Sequence, residues 1–271
     1  MAGEVQLVEG LPVDLAQTVS KNPDLDVVKV AHGGLIIYLG LKTREKPLDD
    51  ARVRKALSLA IDRKTIVEQI LKGFASATGT QVGPFDFGYK EEKVPPYDPA
   101  EAKNLLAAAG YPNGFSIRMQ VVSRYVNSAA VGQVIAQEFS AIGVKPELEV
   151  PEWSVYTQQV PAGKQAPIYM LAWGSTQTLD ADAAIYPIFH TGEPYSTVSI
   201  PALDTLLDET RRTIDPAARA AVFAKIQDLA VEEMPALTLY QEDSLYAKRK
   251  TVTFTGRPDA CMPVFDMRIA D

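Results

Sequence analysis

The chain has 271 residues, with 27 Lys and Arg against 34 Asp and Glu, a formal net charge of −7; 46% of its residues are hydrophobic and 23% charged. This is the composition of a globular protein rather than a disordered one, and the acidic balance argues against a nucleic-acid partner, because such binders present a basic face. No apolar run reaches the roughly 18 residues of a membrane span, and the start, Met1-Ala2-Gly3-Glu4-Val5, has neither the basic nor the apolar region of a signal peptide.

In chain order, the first strand candidates are residues 4–8, 27–30 and 35–41. Val53, Leu57, Ala60 and Ile61 then recur at helical spacing and predict a helix over 50–61. Asp62 is placed to cap a second helix carrying Ile66, Val67, Ile70 and Leu71, which Gly73 closes. Residues 73–97 are rich in Gly and Pro and read as a long irregular loop. Asp98-Pro99 followed by Glu101 supplies an N-cap, a first-turn proline and an acid on the positive end of the helix dipole. That helix stops at Gly110, and Pro112-Asn113-Gly114 turns the chain into a strand over 115–122. Val131, Ile135, Phe139 and Ile142 form a further helical stripe, stopped by Gly143 and followed by an alternating strand over 144–150. A strand over 168–173, a helix through Ile185 and Ile188, and a long helix from Asp215-Pro216 to just before Pro235 come next; the last strands are 237–240 and 244–247. Strands alternating with helices predict an α/β fold.

Catalytic chemistry finds little footing. Cys261 is the lone cysteine, reads as a buried thiol, and allows no disulfide within the chain or CxxC pair. His32 and His190 sit near glycines, outside any GxSxG or HExxH pattern, and read as structural or surface residues. Ala31-His32-Gly33-Gly34 lacks both GxGxxG and the Walker lysine, and no metal-ligand spacing is present, so neither a cofactor nor a metal is expected. Asp180 and Asp182 form a carboxylate pair, yet either also serves as the cap of the following helix, which is the simpler reading. A non-enzymatic role is expected.

Binding chemistry is better represented. Trp173-Gly174-Ser175-Thr176 follows an apolar strand and precedes a helix, which puts polar groups at a strand's carboxyl end, where open α/β sheets bind ligands. Arg124-Tyr125 occupies the matching place after the strand over 115–122, where an Arg is suited to grip a carboxylate in bidentate fashion. Read singly, Trp173 is also a core-edge residue and Arg124 a solvated charge.

The order of several segments carries a resemblance. These are Gly3-Glu-Val-Gln-Leu-Val-Glu-Gly-Leu-Pro12, Tyr38-Leu-Gly-Leu-Lys-Thr43, and Pro47-Leu-Asp-Asp-Ala-Arg-Val-Arg-Lys-Ala-Leu-Ser-Leu-Ala-Ile-Asp-Arg63. Tyr97 to Pro112, Ile142-Gly-Val-Lys145, Glu152-Trp153, Leu203-Asp204 and the stretch from Asp215-Pro216 to Met234-Pro235 follow. Together they resemble the bacterial extracellular solute-binding proteins of family 5, the peptide, nickel and glutathione receptors of ABC importers. The resemblance implies the second lobe of a type II periplasmic-binding-protein-like fold, a mixed sheet flanked by helices. It divides the chain into a first-lobe or hinge remnant over 1–40, a solute-binding lobe over 41–245 and a returning first-lobe segment over 246–271. The remnant strands are expected to pack on each other or on a neighbouring copy, or to stay mobile.

The implied partners are a small-molecule or peptide solute, the missing N-terminal lobe and a membrane permease, with a periplasmic or extracellular location for the intact protein. The implied ligand set is Arg124 and Tyr125 for a solute carboxylate, together with Trp173, Gly174, Ser175, Thr176, Asp180 and Asp182. Thr176 stands where peptide receptors often carry an Asp for the solute's amino group, an arrangement nearer the glutathione-type pattern. The alternative is a freestanding cytosolic interaction module descended from such a receptor.

Overall fold

A computed structural model describes residues 4–175, 178–262 and 264–270. Its elements begin with β1 (Leu7–Glu9), α1 (Val13–Ser20), β2 (Leu25–Val30), β3 (Ile36–Leu41) and α2 (Ala51–Leu59). A three-residue helical turn, α3 (Arg63–Thr65), runs into a π-turn (Ile66–Ile70), followed by β4 (Ala75–Ala77), α4 (Pro99–Ala108), β5 (Phe115–Gln120) and α5 (Ser128–Ala141). Next come β6 (Val144–Glu149), α6 (Trp153–Gln159), β7 (Ile168–Trp173), α7 (Ala181–Phe189), α8 (Pro201–Arg212) and α9 (Pro216–Glu233). The chain ends in β8 (Ala236–Glu242), β9 (Ser244–Arg249), β10 (Val252–Thr253), a single 3-10 turn, and β11 (Arg268–Ile269).

Six strands form a mixed sheet in the order β4-β8-β3-β7-β5-β6. β3 runs antiparallel to both β7 and β8, whereas β5 is parallel to β6 and β7. Every residue of β3 is buried, because helices cover both faces of the sheet. The strand's period of two sorts its side chains between two cores. Ile37, Leu39 and Leu41 join the core beneath α2, α4 and α5, and Tyr38 joins the one beneath α7, α8 and α9. β7 alternates in step: Ile168, Met170 and Ala172 on the first face, Tyr169 and Leu171 on the second. Gly40 is opposite Tyr169 in the register, and a Cβ there would lie 2.3 Å from the Tyr169 ring, so the glycine makes the space that the ring fills.

The helix starts follow the residues that announced them. Asp62, Asp98 and Asp215 each accept a hydrogen bond from a backbone N–H in the first turn, and Pro99 and Pro216 occupy the first helical positions. The predicted second helix over 62–71 is shorter than expected. The Leu71 N–H bonds back to Ile66 in the wider π register, and Asn127 Nδ2 donates to the Ile70 carbonyl at 3.0 Å, serving an oxygen left over by that register. Cys261 is half-buried rather than buried.

A second, small sheet has the order β1-β9-β2, all antiparallel, with α1 packed against it through Val13, Ala16 and Val19. The two ends of the chain thus pair with each other. β3, whose residues 36–40 fall in the leading segment of the sequence reading, lies in the middle of the large sheet. A six-residue apolar run identifies a strand without saying which sheet receives it. Two stretches cross between the sheets, residues 31–35 joining β2 to β3, and Asp243 alone joining β8 to β9. The crossing is tied by Gly34 N–H to the Glu242 carbonyl (2.9 Å), Glu242 N–H to the Leu35 carbonyl (3.0 Å), and Gln241 Nε2 to the His32 and Gly34 carbonyls.

Candidate solute site

The crossing strands form the floor of a cleft of about 790 Å³. Its large-sheet wall comes from the turn after β5 (Arg124, Tyr125), from Trp153 and Tyr156 of α6, and from Trp173 at the end of β7. The small-sheet wall carries Leu11, Val13 and Tyr246, and Glu242 and Asp243 lie between. β5 and β7 are parallel and both end here, so the cleft opens at their carboxyl ends, the side on which open α/β sheets present their loops to ligands.

The turn that carries Arg124 is well anchored. Ser128 Oγ donates to the Tyr125 carbonyl at 2.9 Å and also contacts the Val122 carbonyl, and Val126 N–H donates to Glu242 Oε1 at 3.3 Å. Arg124 itself is exposed, and its guanidinium has no hydrogen bond or ion pair among the described residues. Tyr125 is half-buried, its ring edge-on to Trp153 at 6.1 Å, and Trp153 continues to Tyr156 at 6.2 Å. The Tyr125 hydroxyl is pushed up by burial. Trp173 donates its indole N–H to the Ala183 carbonyl at 2.9 Å and lies against Tyr195 with ring centres 4.9 Å apart. With the Trp173 indole N–H already bonded to the protein, the ring faces of this aromatic wall leave apolar surface for a ligand.

The remaining expected site residues sit elsewhere. Gly174 and Ser175 lie behind the wall, where Ser175 Oγ donates to Asp86 Oδ1 at 2.5 Å and Gly83 N–H donates to the other Asp86 oxygen at 2.8 Å. Burial pushes the Asp86 carboxyl up, against the pull of these donors. Thr176 lies outside the described residues. Asp180 caps α7 by accepting from Asp182 N–H and forms a bidentate pair with Arg219 at 2.6 and 2.9 Å; Asp182 pairs with Arg211 at 2.9 Å through both oxygens. Neither carboxylate lines the cleft. His190 stacks on Tyr186 and approaches Asp208 at 3.3 Å, also away from it.

Trp153, Tyr156 and Glu242 line the cleft but escaped the sequence reading of the site. Glu242 closes β8 directly before Asp243, and that acid-acid step between two apolar runs is the signal that could have marked it. Its carboxyl is pushed up to about 7 by burial, against the opposing influence of the Val126 N–H and the Arg124 charge. Asp243 beside it is spoken for, with Lys29 Nζ at 2.8 Å and the His32 N–H at 3.1 Å. Among the described residues no cluster of three or more His, Cys, Asp or Glu is arranged to hold a metal ion, and no helix is long and apolar enough to cross a membrane.

Comparison with known proteins places this geometry. The family model described as bacterial extracellular solute-binding proteins, family 5 Middle, matches residues 1–196. The chain is 29% identical over 269 residues to the glutathione-binding protein GsiB of Escherichia coli (strain K12), covering 95% of this chain and 52% of that protein. The protein of the same name from Shigella dysenteriae serotype 1 matches equally, at 29% over the same length and coverage. The chain therefore spans about half the length of the curated relatives it matches. Among solved structures it is similar to the periplasmic binding protein DppA of Helicobacter pylori in complex with peptide STSA, with a TM-score of 0.86 and 25% identity over 99% of this chain and 53% of that one. AgaA of A. tumefaciens R10, in complex with agropinic acid, gives a TM-score of 0.82 and 25% identity over 99% of this chain and 57% of that one. The mixed sheet with its helical layers is accordingly part of a periplasmic-binding-protein fold, and the chain belongs to the bacterial extracellular solute-binding proteins of family 5.

Proposed function

We propose that this chain supplies the second-lobe half of an ABC-importer receptor. In this reading it captures a small peptide-like or anionic solute in the cleft and passes it to a membrane permease from the periplasmic or extracellular side. The observation that carries the reading is Arg124, a guanidinium without a partner among the described residues, at the carboxyl ends of β5 and β7 and beside the aromatic surface of Tyr125, Trp153 and Trp173. A planar cation of this kind matches a solute carboxylate in geometry and charge, and the aromatic rings bury the apolar remainder. No bond-making chemistry is required. Receptors of this kind act by two bodies closing about the solute through a few linking residues, and the solute stabilises the closed form by touching both. Residues 31–35 and Asp243 are the linking segments in this chain. That GsiB is named for glutathione and DppA was solved with a peptide supports a peptide-like class of solute.

The test is a thermal-shift screen of the full-length gene product against short peptides, glutathione, sugars and nickel complexes, because a ligand that binds the native state raises the melting temperature by mass action. Stabilisation by carboxylate-bearing peptides, lost in Arg124→Ala, is the expected result. Stabilisation by uncharged sugars alone would overturn the proposal.

A further inference from the structure

Two side chains of opposite charge, Arg124 and Glu242, line the cleft without an ion-pair partner among the described residues. Glu242 is fixed at the end of β8 by its backbone bonds to Gly34 and Leu35 and by its pairing with Ala75 of β4. One of its oxygens accepts the Val126 N–H at 3.3 Å, and the other has no protein hydrogen bond or ion pair among the described residues. Arg124, two residues before Val126 on the same turn, is likewise free, and the two do not pair with each other. Both line the same cleft, so both are left for something that enters it. Unpaired charges in a partly desolvated apolar site are costly unless a ligand completes them.

We propose that Glu242 is the cation-recognising carboxylate of the cleft, taking the ammonium group of a zwitterionic solute whose carboxylate rests on Arg124. The assignment rests on the receptor reading above and adds to it the solute's second charge and the residue that reads it. It also gives the binding a pH signature. Around Glu242 stand Arg124 and Tyr125 from the turn after β5, Tyr240 on its own strand, Tyr246 of β9, Asp243 with its Lys29 partner, and Glu9 on the exposed far wall. The tyrosines are neutral and Asp243 is ion-paired, so Arg124 is the cation of the protein that acts on Glu242. An arriving ammonium adds a second cation, favours the ionised carboxylate, and releases the proton Glu242 holds below neutrality. Affinity for amine-bearing solutes then rises with pH up to about 7 and flattens above it.

The test is isothermal titration calorimetry on the full-length gene product, with glutathione, the dipeptide Met-Leu and the tetrapeptide Ser-Thr-Ser-Ala, each against its N-acetylated form. In the unaltered protein, blocking the amine weakens binding by about 10-fold or more, the scale of one charge-assisted hydrogen bond. Glu242→Gln, which keeps the acceptor for Val126, weakens the free-amine probes by about the same factor, leaves the N-acetyl probes unchanged, and removes the rise in affinity between pH 6 and pH 8. Free-amine binding that is indifferent both to acetylation and to Glu242→Gln would overturn the assignment while leaving the receptor reading standing. Failure of every probe in either form would overturn both. If Glu242→Gln folds poorly, the pH profile of the unaltered protein decides: free-amine affinity is expected to rise up to about pH 7 while N-acetyl affinity does not, and a flat free-amine profile would overturn the assignment.

Discussion

Arg124 is exposed and has no hydrogen bond or ion pair among the described residues, so the proposed receptor role places its worth in ligand binding rather than in folding. Arg124→Ala should leave the unfolding free energy within about 0.5 kcal/mol of the parent. It should weaken a carboxylate-bearing solute by about 10- to 100-fold, the loss of one charge-assisted, bidentate contact; calorimetry and urea unfolding on the same samples separate the two effects. Glu138 is the opposite case, a carboxyl that acts on stability alone. It accepts the Asp62 N–H at 3.2 Å, its other oxygen is buried without a partner, and burial pushes the group up to about 7. The folded state then holds a proton that the unfolded chain, near 4.5, has already lost, so this group's contribution falls as pH rises from about 4.5 to 7. Glu138→Gln keeps the acceptor and removes the penalty. Urea unfolding should find the variant on the order of 1 kcal/mol more stable at pH 8, with no advantage at pH 4. A parent whose stability rises across that window faster than the variant's would contradict the account. Neither role is visible in sequence, where a surface-type residue looks the same whether or not its oxygens find donors.

At the scale of elements, the Trp173 loop is held from behind by the irregular segment between β4 and α4. Phe87 N–H donates to the Leu179 carbonyl, Ala181 N–H donates to the Phe87 carbonyl, and Asp86 holds Ser175. Arg219 of α9 locks the start of α7 through Asp180 while lying over the rings of Phe87 and Phe223 at 5.3 and 4.8 Å. Asp180 therefore has two separable duties. Asp180→Asn retains the cap and loses the ion pair, whereas Asp180→Ala loses both; thermal unfolding should rank alanine below asparagine by about 1 kcal/mol, the usual value of a cap. Equal stability of the two variants would deny the capping duty. The caps and stripes made most helices legible: Asp98-Pro99 and Asp215-Pro216 mark their helices outright, and the alternating strands stand out in the same way. What stayed hidden has a local cause. α6 is seven residues long without a side-chain cap, α1 starts behind Pro12 with none, and the π-turn at Ile66–Ile70 depends on Asn127 from a distant turn. The carboxylates Asp180 and Asp182 read more simply as a helix start than as a ligand pair, but their arginine partners, some 30 to 40 residues away, are invisible in the local sequence.

For the molecule as a whole, the decisive feature is the narrowness of the connection between the sheets. Lys29 of the small sheet reaches across it to Asp243 at 2.8 Å and to the Gly73 carbonyl at 3.1 Å, with its ammonium 5.6 Å from the centre of the Phe74 ring. Gly34 lies so close to the neighbouring strand that a Cβ would sit 2.7 Å from the Glu242 backbone oxygen. Gly34→Ala should force the two crossing segments apart, lowering stability by about 1–3 kcal/mol as overpacking does and weakening the solute through displacement of Glu242. Urea unfolding and calorimetry both read it, and parent-like values in each would show the crossing to be slack. The receptor proposal, in which a further N-terminal lobe adds contacts to the solute, predicts that the chain studied alone binds a solute at least about 100-fold more weakly than the intact receptor, since those contacts are missing; micromolar binding of a peptide by the chain alone would refute this. Sequence pattern showed β8 and β9 as two strands, but not that the single residue between them passes from one sheet to the other.

That one-residue passage makes β9 the long arm of a lever pivoting at Asp243. Its far end at Arg249 lies roughly 20 Å along an extended chain from the pivot, at about 3.4 Å per residue. A backbone rotation of only about 10° at the pivot would sweep that end through some 3–4 Å on this spacing, while hardly displacing Glu242 beside it. A rotation of that size at the bottom of the cleft is thus amplified into a displacement of several ångströms at its outer rim.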